Sequence, residues 1–291
     1  METSTPDEPE PKQTSRFYIR LLSVALLLTA FAACENRKWQ KPEHPVAVID
    51  STVIKQKEKL RQDSLQQISL SKKKIYLTFD DGPNKGTRNV LQAVKEENIP
   101  ASFFIVGEHV FDSPKQTQTW EMLKADSTIE LCNHSYTHAH NRYTSFYNNP
   151  SGVVEDFNHS QNKLQFNNNI ARMPGRNAWR IDTIDHTDIY QSSAAIDSLH
   201  AAGFNIMGWD IEWIFDHKTL APDTSIDLML RRIENMLEAR RTKTPGHLVL
   251  LAHDQAFQTE EAVQLLHLVL QSLKNNPDYE LVLASKYPGV Q

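Results

Sequence analysis

From residue 75 onward, short apolar runs of β type alternate with stretches in which apolar residues recur every three or four positions. The β-type runs fall at 75–79, 102–106, 129–132, 204–209, 247–252 and 281–284. Helical periodicity is clearest at 87–97, 116–124, 153–164, 194–202, 226–240 and 260–273. Such alternation predicts an α/β fold, a mostly parallel sheet with helices outside it, and its length favours a barrel-like closure. A capping pattern at 224–227 opens one helix, and Thr259, Glu260 and Glu261 place acids at the start of the next, where they suit the helix dipole. Stretches 141–151 and 176–191 have weaker patterns and predict loops.

The first 74 residues follow different rules. Arg16 and Arg20 precede an uncharged apolar run at 21–33 that ends in Phe31-Ala32-Ala33-Cys34. The run is shorter than the ~20 residues a helix needs to cross a bilayer, and matches the core of a signal peptide. Small residues before a cysteine resemble the lipobox of bacterial lipoproteins, so residues 1–34 are expected to be a signal whose Cys34 becomes lipidated. That predicts a membrane-anchored protein of the bacterial cell envelope. The acidic stretch 1–15 fits a signal poorly and points to a true start nearer Arg16. Residues 35–72 are polar, rich in Lys and Gln, and carry Pro42 and Pro45; they read as a tether with room for a short helix at 55–68. The remaining domain is 73–291.

Charge sharpens the division. The whole chain carries a formal −5, but residues 75–291 carry −9 and residues 35–74 carry +5. An acidic main domain argues against a nucleic-acid backbone as partner, because that binding rests on clustered Lys and Arg. With only two cysteines, Cys34 and Cys132, no structural disulfide is expected.

In parallel α/β folds chemistry gathers at the carboxyl ends of strands, and Thr78-Phe79-Asp80-Asp81-Gly82-Pro83 stands at such an end. Adjacent carboxylates repel, and a cation that neutralises one of them lets the pair persist. After the third strand, Asn133-His134-Ser135-Tyr136-Thr137-His138 offers two imidazoles that share a face if the segment is helical; His140 lies near enough to compete. Two histidines with Asp81 form a donor set suited to catalytic zinc, and by ligand type to cobalt or nickel.

These motifs, in this order, resemble the polysaccharide deacetylases of carbohydrate esterase family four, the group with the NodB homology domain, over about residues 73–287. Residues 101–107 also resemble the strand between the two motifs. The resemblance implies a distorted (β/α) barrel, with Asp80 as general base and Asp81, His134 and His138 as metal ligands. Arg172-Met173-Pro174-Gly175 is similar to the third motif, which implies that Arg172 tunes Asp80 and that Pro174 and Gly175 lie along the substrate; the family often has an aromatic residue at the position of Gly175. Trp209-Asp210-Ile211-Glu212-Trp213 resembles the fourth motif. Either Glu212 or Asp210 then orients the catalytic histidine, and Trp213 lines the acetyl pocket. His253, in a stretch similar to the fifth motif, is the implied general acid, with Leu251 in the apolar pocket. Cys132 is read as structural.

The implied activity is metal-dependent removal of acetyl groups from an N- or O-acetylated polysaccharide. The main alternative is a non-catalytic, surface-anchored glycan-binding protein on the same scaffold. A non-haem iron oxygenase and a glycoside hydrolase using Asp80 and Glu212 are the other readings of these residue types.

Overall fold

The structure is a computed structural model that describes residues 51–290; the apolar run and Cys34 lie outside them. Two compact units divide the chain between Glu58 and Lys59. Of the first, only 51–58 are described, and these belong to helix α1, Ser51–Ser71, longer than the helix allowed for in the tether.

In the second unit the strands are β1 (Lys73–Gly82), β2 (Ala101–Ile105), β3 (Ile129–Asn133), β4 (Ile170–Ala171), β5 (Ala178–Ile181), β6 (Ile184–Thr187), β7 (Asn205–Ile206), β8 (Ile211–Trp213), β9 (His247–His253) and β10 (Tyr279–Leu281). The helices are α2 (Thr87–Glu96), α3 (Pro114–Lys124), α4 (Tyr143–Tyr147), α5 (Pro150–Leu164), α6 (Ser193–Ala201), α7 (Ile226–Glu238) and α8 (Glu260–Asn275). One sheet runs β6-β5-β7-β4-β3-β2-β1-β9-β8, with β10 also paired to β1. Its pairs are parallel except β5 with β6 and β5 with β7. The result is a mixed α/β fold whose sheet curls into a half-barrel, the distorted barrel expected from the sequence.

Successive side chains of a strand point to opposite faces, and here that rule sorts the core into layers. On β1, Ile75, Leu77 and Phe79 pack outward with Val90 and Leu91 of α2, Met229 and Ile233 of α7, and Leu266 and Leu270 of α8. Tyr76 points inward, into a cluster with Phe104, Cys132, Trp179, Val249 and Tyr287. Inward residues further along β1 are therefore Thr78 and Asp80. The same count on β9 sends Leu248, Leu250 and Ala252 outward and Val249, Leu251 and His253 inward. On β8, Ile211 and Trp213 pack outward, so Glu212 takes the inner face. Capping fixes the helices that press on this sheet: Ser225 and Thr259 accept the backbone N–H of Leu228 and Ala262, each cap stabilising its helix by about 1 kcal/mol.

Two predicted loops contain regular structure. Segment 176–191 folds into the β5–β6 hairpin; all four residues of β5 are buried, so no period-two contrast marks it. Segment 141–151 contains the single-turn helix α4 and the Pro150 start of α5, too short for a periodic signal. Conversely, only Asn205–Ile206 of the run 204–209 is strand.

Candidate active site

The site begins with a departure from strand geometry. Asp80 pairs in register with His253 of β9 and Phe104 of β2, and the β1–β2 register then slips between Asp80 and Gly82. Asp81 is the extra residue, with φ 72°. A bulge of this kind re-aims a side chain, and here it lets two neighbouring carboxylates share one cleft instead of opposite faces. The Asp81 carbonyl faces His109 Nδ1 at 2.9 Å.

His134 and His138 do not share a helical turn. His134 follows β3 directly, while His138 opens a left-handed stretch in which His138, Ala139, His140 and Asn141 have φ of 48°, 57°, 44° and 59°. Asn133 accepts the Ser135 N–H, and Ser135 Oγ accepts the His138 N–H. This loop, not helical spacing, brings the imidazoles together. Their Nε2 atoms lie 3.4 and 3.2 Å from Asp81 Oδ1, and the three donor atoms fall within 4.8 Å of one another. Tetrahedral coordination at about 2.0–2.2 Å needs donors roughly 3.3–3.6 Å apart, so the set fits a divalent cation. Asp81 Oδ1 is also buried without a hydrogen-bond partner, the kind of orphaned acceptor a cation satisfies.

The protonation of Asp81 and His138 favours the same fit, whereas at His134 burial is outweighed by Asp80 and Asp81, which raise its pKa. Burial raises the Asp81 pKa, but its contact with His134 and the neighbouring His138 and His253 outweigh this and hold the carboxyl well below the usual range. Burial, then the charge of His134, pushes His138 down to about 4, leaving the neutral ring that ligation needs. His134 Nδ1 donates to the Arg172 carbonyl at 2.8 Å, which fixes the ring with Nε2 toward Asp81. His140 is exposed and pairs with Glu108, outside the donor set.

Arg172 is fully buried. Its Nη1 donates to Asp80 Oδ1 at 2.7 Å and to Thr78 Oγ1 at 2.9 Å; Nε donates to the Met207 carbonyl and Nη2 to that of Gly208. The guanidinium lies 3.9 Å from the Phe104 ring centre. With four hydrogen bonds drawn from all three of its nitrogens, the charge is held in the plane that meets Asp80.

Across the cleft, the two acids near His253 separate. Asp210 accepts the backbone N–H groups of Lys243 and Val249 at 2.8 Å each, which ties β8 to β9 and turns its carboxylate away from the histidine. Burial, opposed by those two bonds, raises its pKa to about 6. Glu212 Oε1 instead lies 3.9 Å from His253 Nδ1, a nitrogen that is buried and without a hydrogen-bond partner. Of the two, Glu212 is the one beside His253. Trp213 needs a larger correction: it is 2% exposed and packs edge-on to Phe257 under the helices, because it alternates with Glu212 along β8. The aromatic ring beside His253 belongs to Phe215, at 5.2 Å.

Asp80, Asp81, His134, His138, Gly175, Leu251, Glu212 and His253 line one cleft of about 410 Å³. Pro174 is buried behind it, its carbonyl accepting the Tyr147 hydroxyl. Gly175 has φ 61°, and a Cβ there would sit 3.2 Å from the Tyr143 ring. Tyr143 thus supplies an aromatic wall at a position where the third motif has none of its own. Tyr143, Trp209, Phe215 and His217 also line the cleft and received no role from sequence. Trp209 ends a β-type run, while Tyr143, Phe215 and His217 lie on segments without periodicity, and only the curl of the sheet brings them to the strand ends.

Residues 67–174 match the family model described as polysaccharide deacetylase. The chain is similar to a chitooligosaccharide deacetylase of Rhizobium leguminosarum bv. phaseoli, 40% identical over 65 residues, 22% of this chain and 27% of that protein. It therefore spans about a quarter of that relative's length. A putative polysaccharide deacetylase of Bacillus subtilis is 24% identical over 253 residues, covering 81% of this chain and 80% of that one. Among solved structures, a CE4 esterase of Streptococcus mutans aligns with TM-score 0.53 at 23% identity, over 76% of this chain and 90% of that one. The described domain has the fold of that CE4 structure, and residues 67–174 carry the likeness to the polysaccharide deacetylase model.

Proposed function

We propose that the chain is a metal-dependent hydrolase that removes acetyl groups from an N-acetylated polysaccharide, with an O-acetylated glycan as the variant substrate. The observation that carries this reading is that Asp80, hydrogen-bonded to Arg172, and His253, its register partner on β9, line the same cleft as a three-donor site. Asp81, His134 and His138 hold the cation, zinc first by donor type, with cobalt or nickel also suited. When bound, such an ion lowers the pKa of water and polarises a carbonyl.

Asp80 takes the proton from the attacking water as the hydroxyl adds to the acetyl carbon. Arg172 Nη1, donating to Asp80 Oδ1, holds that carboxylate in a fixed direction. The carbonyl oxygen gains negative charge as the carbon becomes tetrahedral, and the Gly175 N–H is a donor for it. His253 then gives a proton to the amide nitrogen as the C–N bond breaks, releasing acetate and a free amine. Glu212 beside Nδ1 orients the ring for that transfer. Leu251 and Phe215 give the acetyl methyl an apolar seat.

Acetate release from defined acetylated glycans, measured with and without chelator and after adding back Zn, Co or Ni, tests this reading. Activity that survives chelation sinks it, and glycan binding without acetate release leaves the non-catalytic alternative standing. Asp80→Asn should keep the metal and lose turnover, while His134→Ala should lose the metal by elemental analysis. The same reading includes the leader. Cys34 as lipid anchor places the enzyme on the envelope, near cell-wall or exopolysaccharide substrates, with 73–291 as the catalytic domain on a tether. Cys34→Ser should move the protein from the membrane to the soluble fraction; unchanged detergent partitioning refutes the anchor.

A further inference from the structure

Next to His253 stands a carboxyl that the reaction does not use. Asp254 is fully buried and faces away from the cleft, into the loop that follows the Asp80-Asp81 pair. One oxygen accepts from Thr87 Oγ1 and the other from Asn84 Nδ2. That loop is wound tightly about it. The Asn84 N–H donates to Thr87 Oγ1 at 2.7 Å, and the Gly86 N–H to Asn84 Oδ1 at 2.9 Å. A Cβ at Gly82 would lie 2.7 Å from Asp254 Oδ2, and one at Gly86 only 1.9 Å from the Asp254 carbonyl, so the two segments meet with no room for a side chain between them.

The contact also reaches the metal site. Asn84 Nδ2, which donates to Asp254, lies 3.4 Å from the Asp81 carbonyl, and His109 approaches the same carbonyl. Asp81 is a non-glycine residue in left-handed backbone, a conformation that persists only when its surroundings over-determine it. Loop and histidine together supply that constraint, and Asp254 anchors the loop.

We propose that Asp254 is a positioning residue that clasps the loop 82–87 to the end of β9, and so fixes the Asp81 carboxylate relative to His253. The inference rests on the deacetylase reading for the roles of those two residues. Desolvation, despite its two hydrogen bonds, raises the Asp254 pKa to about 8, which agrees with a neutral structural acid that an asparagine can imitate.

Zinc affinity, measured by competition with a chromophoric chelator, tests the clasp without relying on turnover. Residues that support metal ligands typically matter about 10–100-fold in affinity, so Asp254→Ala should bind zinc at least about ten-fold more weakly than wild type. Asp254→Asn should recover most of that loss. In acetate release, Asp254→Ala should lower kcat with KM little changed, because the clasp sets the distance between reacting groups and not the cleft walls. If Asp254→Ala fails to fold, Thr87→Val removes only the hydroxyl and should weaken zinc binding several-fold. Wild-type zinc affinity in the folded Asp254→Ala protein, or in Thr87→Val where the alanine variant does not fold, overturns the clasp alone. A wild-type protein that binds no zinc overturns the proposed function and the clasp with it.

Discussion

Replacing Arg172 by lysine keeps the positive charge and removes the fork. In the native site the guanidinium makes bonds to Asp80 Oδ1, Thr78 Oγ1 and the carbonyls of Met207 and Gly208, at 2.7, 2.9, 3.0 and 2.8 Å. A lysine ammonium offers three donors from one point. Held against Asp80 and Thr78, it cannot also span the two carbonyls on the far side of the fork. Each buried acceptor left without a donor costs about 1–3 kcal/mol, so losing two should make Arg172→Lys destabilise the domain by about 2–6 kcal/mol. For a domain of this size each kcal/mol lowers Tm by about 2–4 °C, giving a drop of at least about 4 °C in thermal unfolding followed by circular dichroism. Acetate release should fall as well, because Asp80 loses its fixed partner. A Tm within about 2 °C of wild type would refute the argument that the fork organises this side of the barrel. Arg172→Met goes further and leaves Asp80 buried without a cation, at a cost of about 3–5 kcal/mol; adding Asp80→Asn should restore part of that loss, a coupling a double-mutant cycle reads directly.

Other substitutions separate packing from chemistry. Trp213→Ala should cost about 3–5 kcal/mol of stability yet leave KM for the glycan near wild type, since the ring packs on Phe257 outside the cleft; a large rise in KM would return Trp213 to the acetyl pocket. Ala139→Gly removes a Cβ from left-handed backbone at φ 57° and should raise stability by roughly 0.5–1 kcal/mol, so a lower Tm would contradict the strain assigned to that turn. Asp254 has its pKa raised to about 8 in the folded state, against about 3.9 in the unfolded chain. The folded state therefore binds the extra proton between those values, and this contribution to stability is present below about pH 4 and lost as pH rises toward 8. Asp254→Asn should flatten that loss, by at most about 1.4 kcal/mol per pH unit, in Tm measured from pH 5 to 8; parallel pH profiles for the two proteins would refute it.

Much of the fold was legible because it depends on local pattern. The outward faces of β1 and β9 and the apolar stripes of α2, α7 and α8 each read at their own period, and pressing those faces together gives helices outside a mostly parallel sheet. The β5–β6 hairpin was not legible, since a strand buried on every side chain shows no alternation. The clustering of Asp80, Asp81, His134, His138 and His253 could be anticipated because each motif ends an apolar run, and parallel strands bring such ends to one rim.

What the sequence determined by itself was the set of chemical groups and the rim on which they stand. Tertiary structure decided which of them face one another. The bulge at Asp81 turns a repulsive pair into one carboxylate that faces two imidazoles and another that meets Arg172. Alternation along β8 selects Glu212 for His253 and sends Trp213 to the core, while two backbone N–H groups claim Asp210. Tyr143 and Phe215 reach the cleft from segments with no pattern of their own. Direction within a strand follows from local geometry, but distance between side chains far apart in sequence follows only from how the sheet curls and which backbone groups remain to be satisfied.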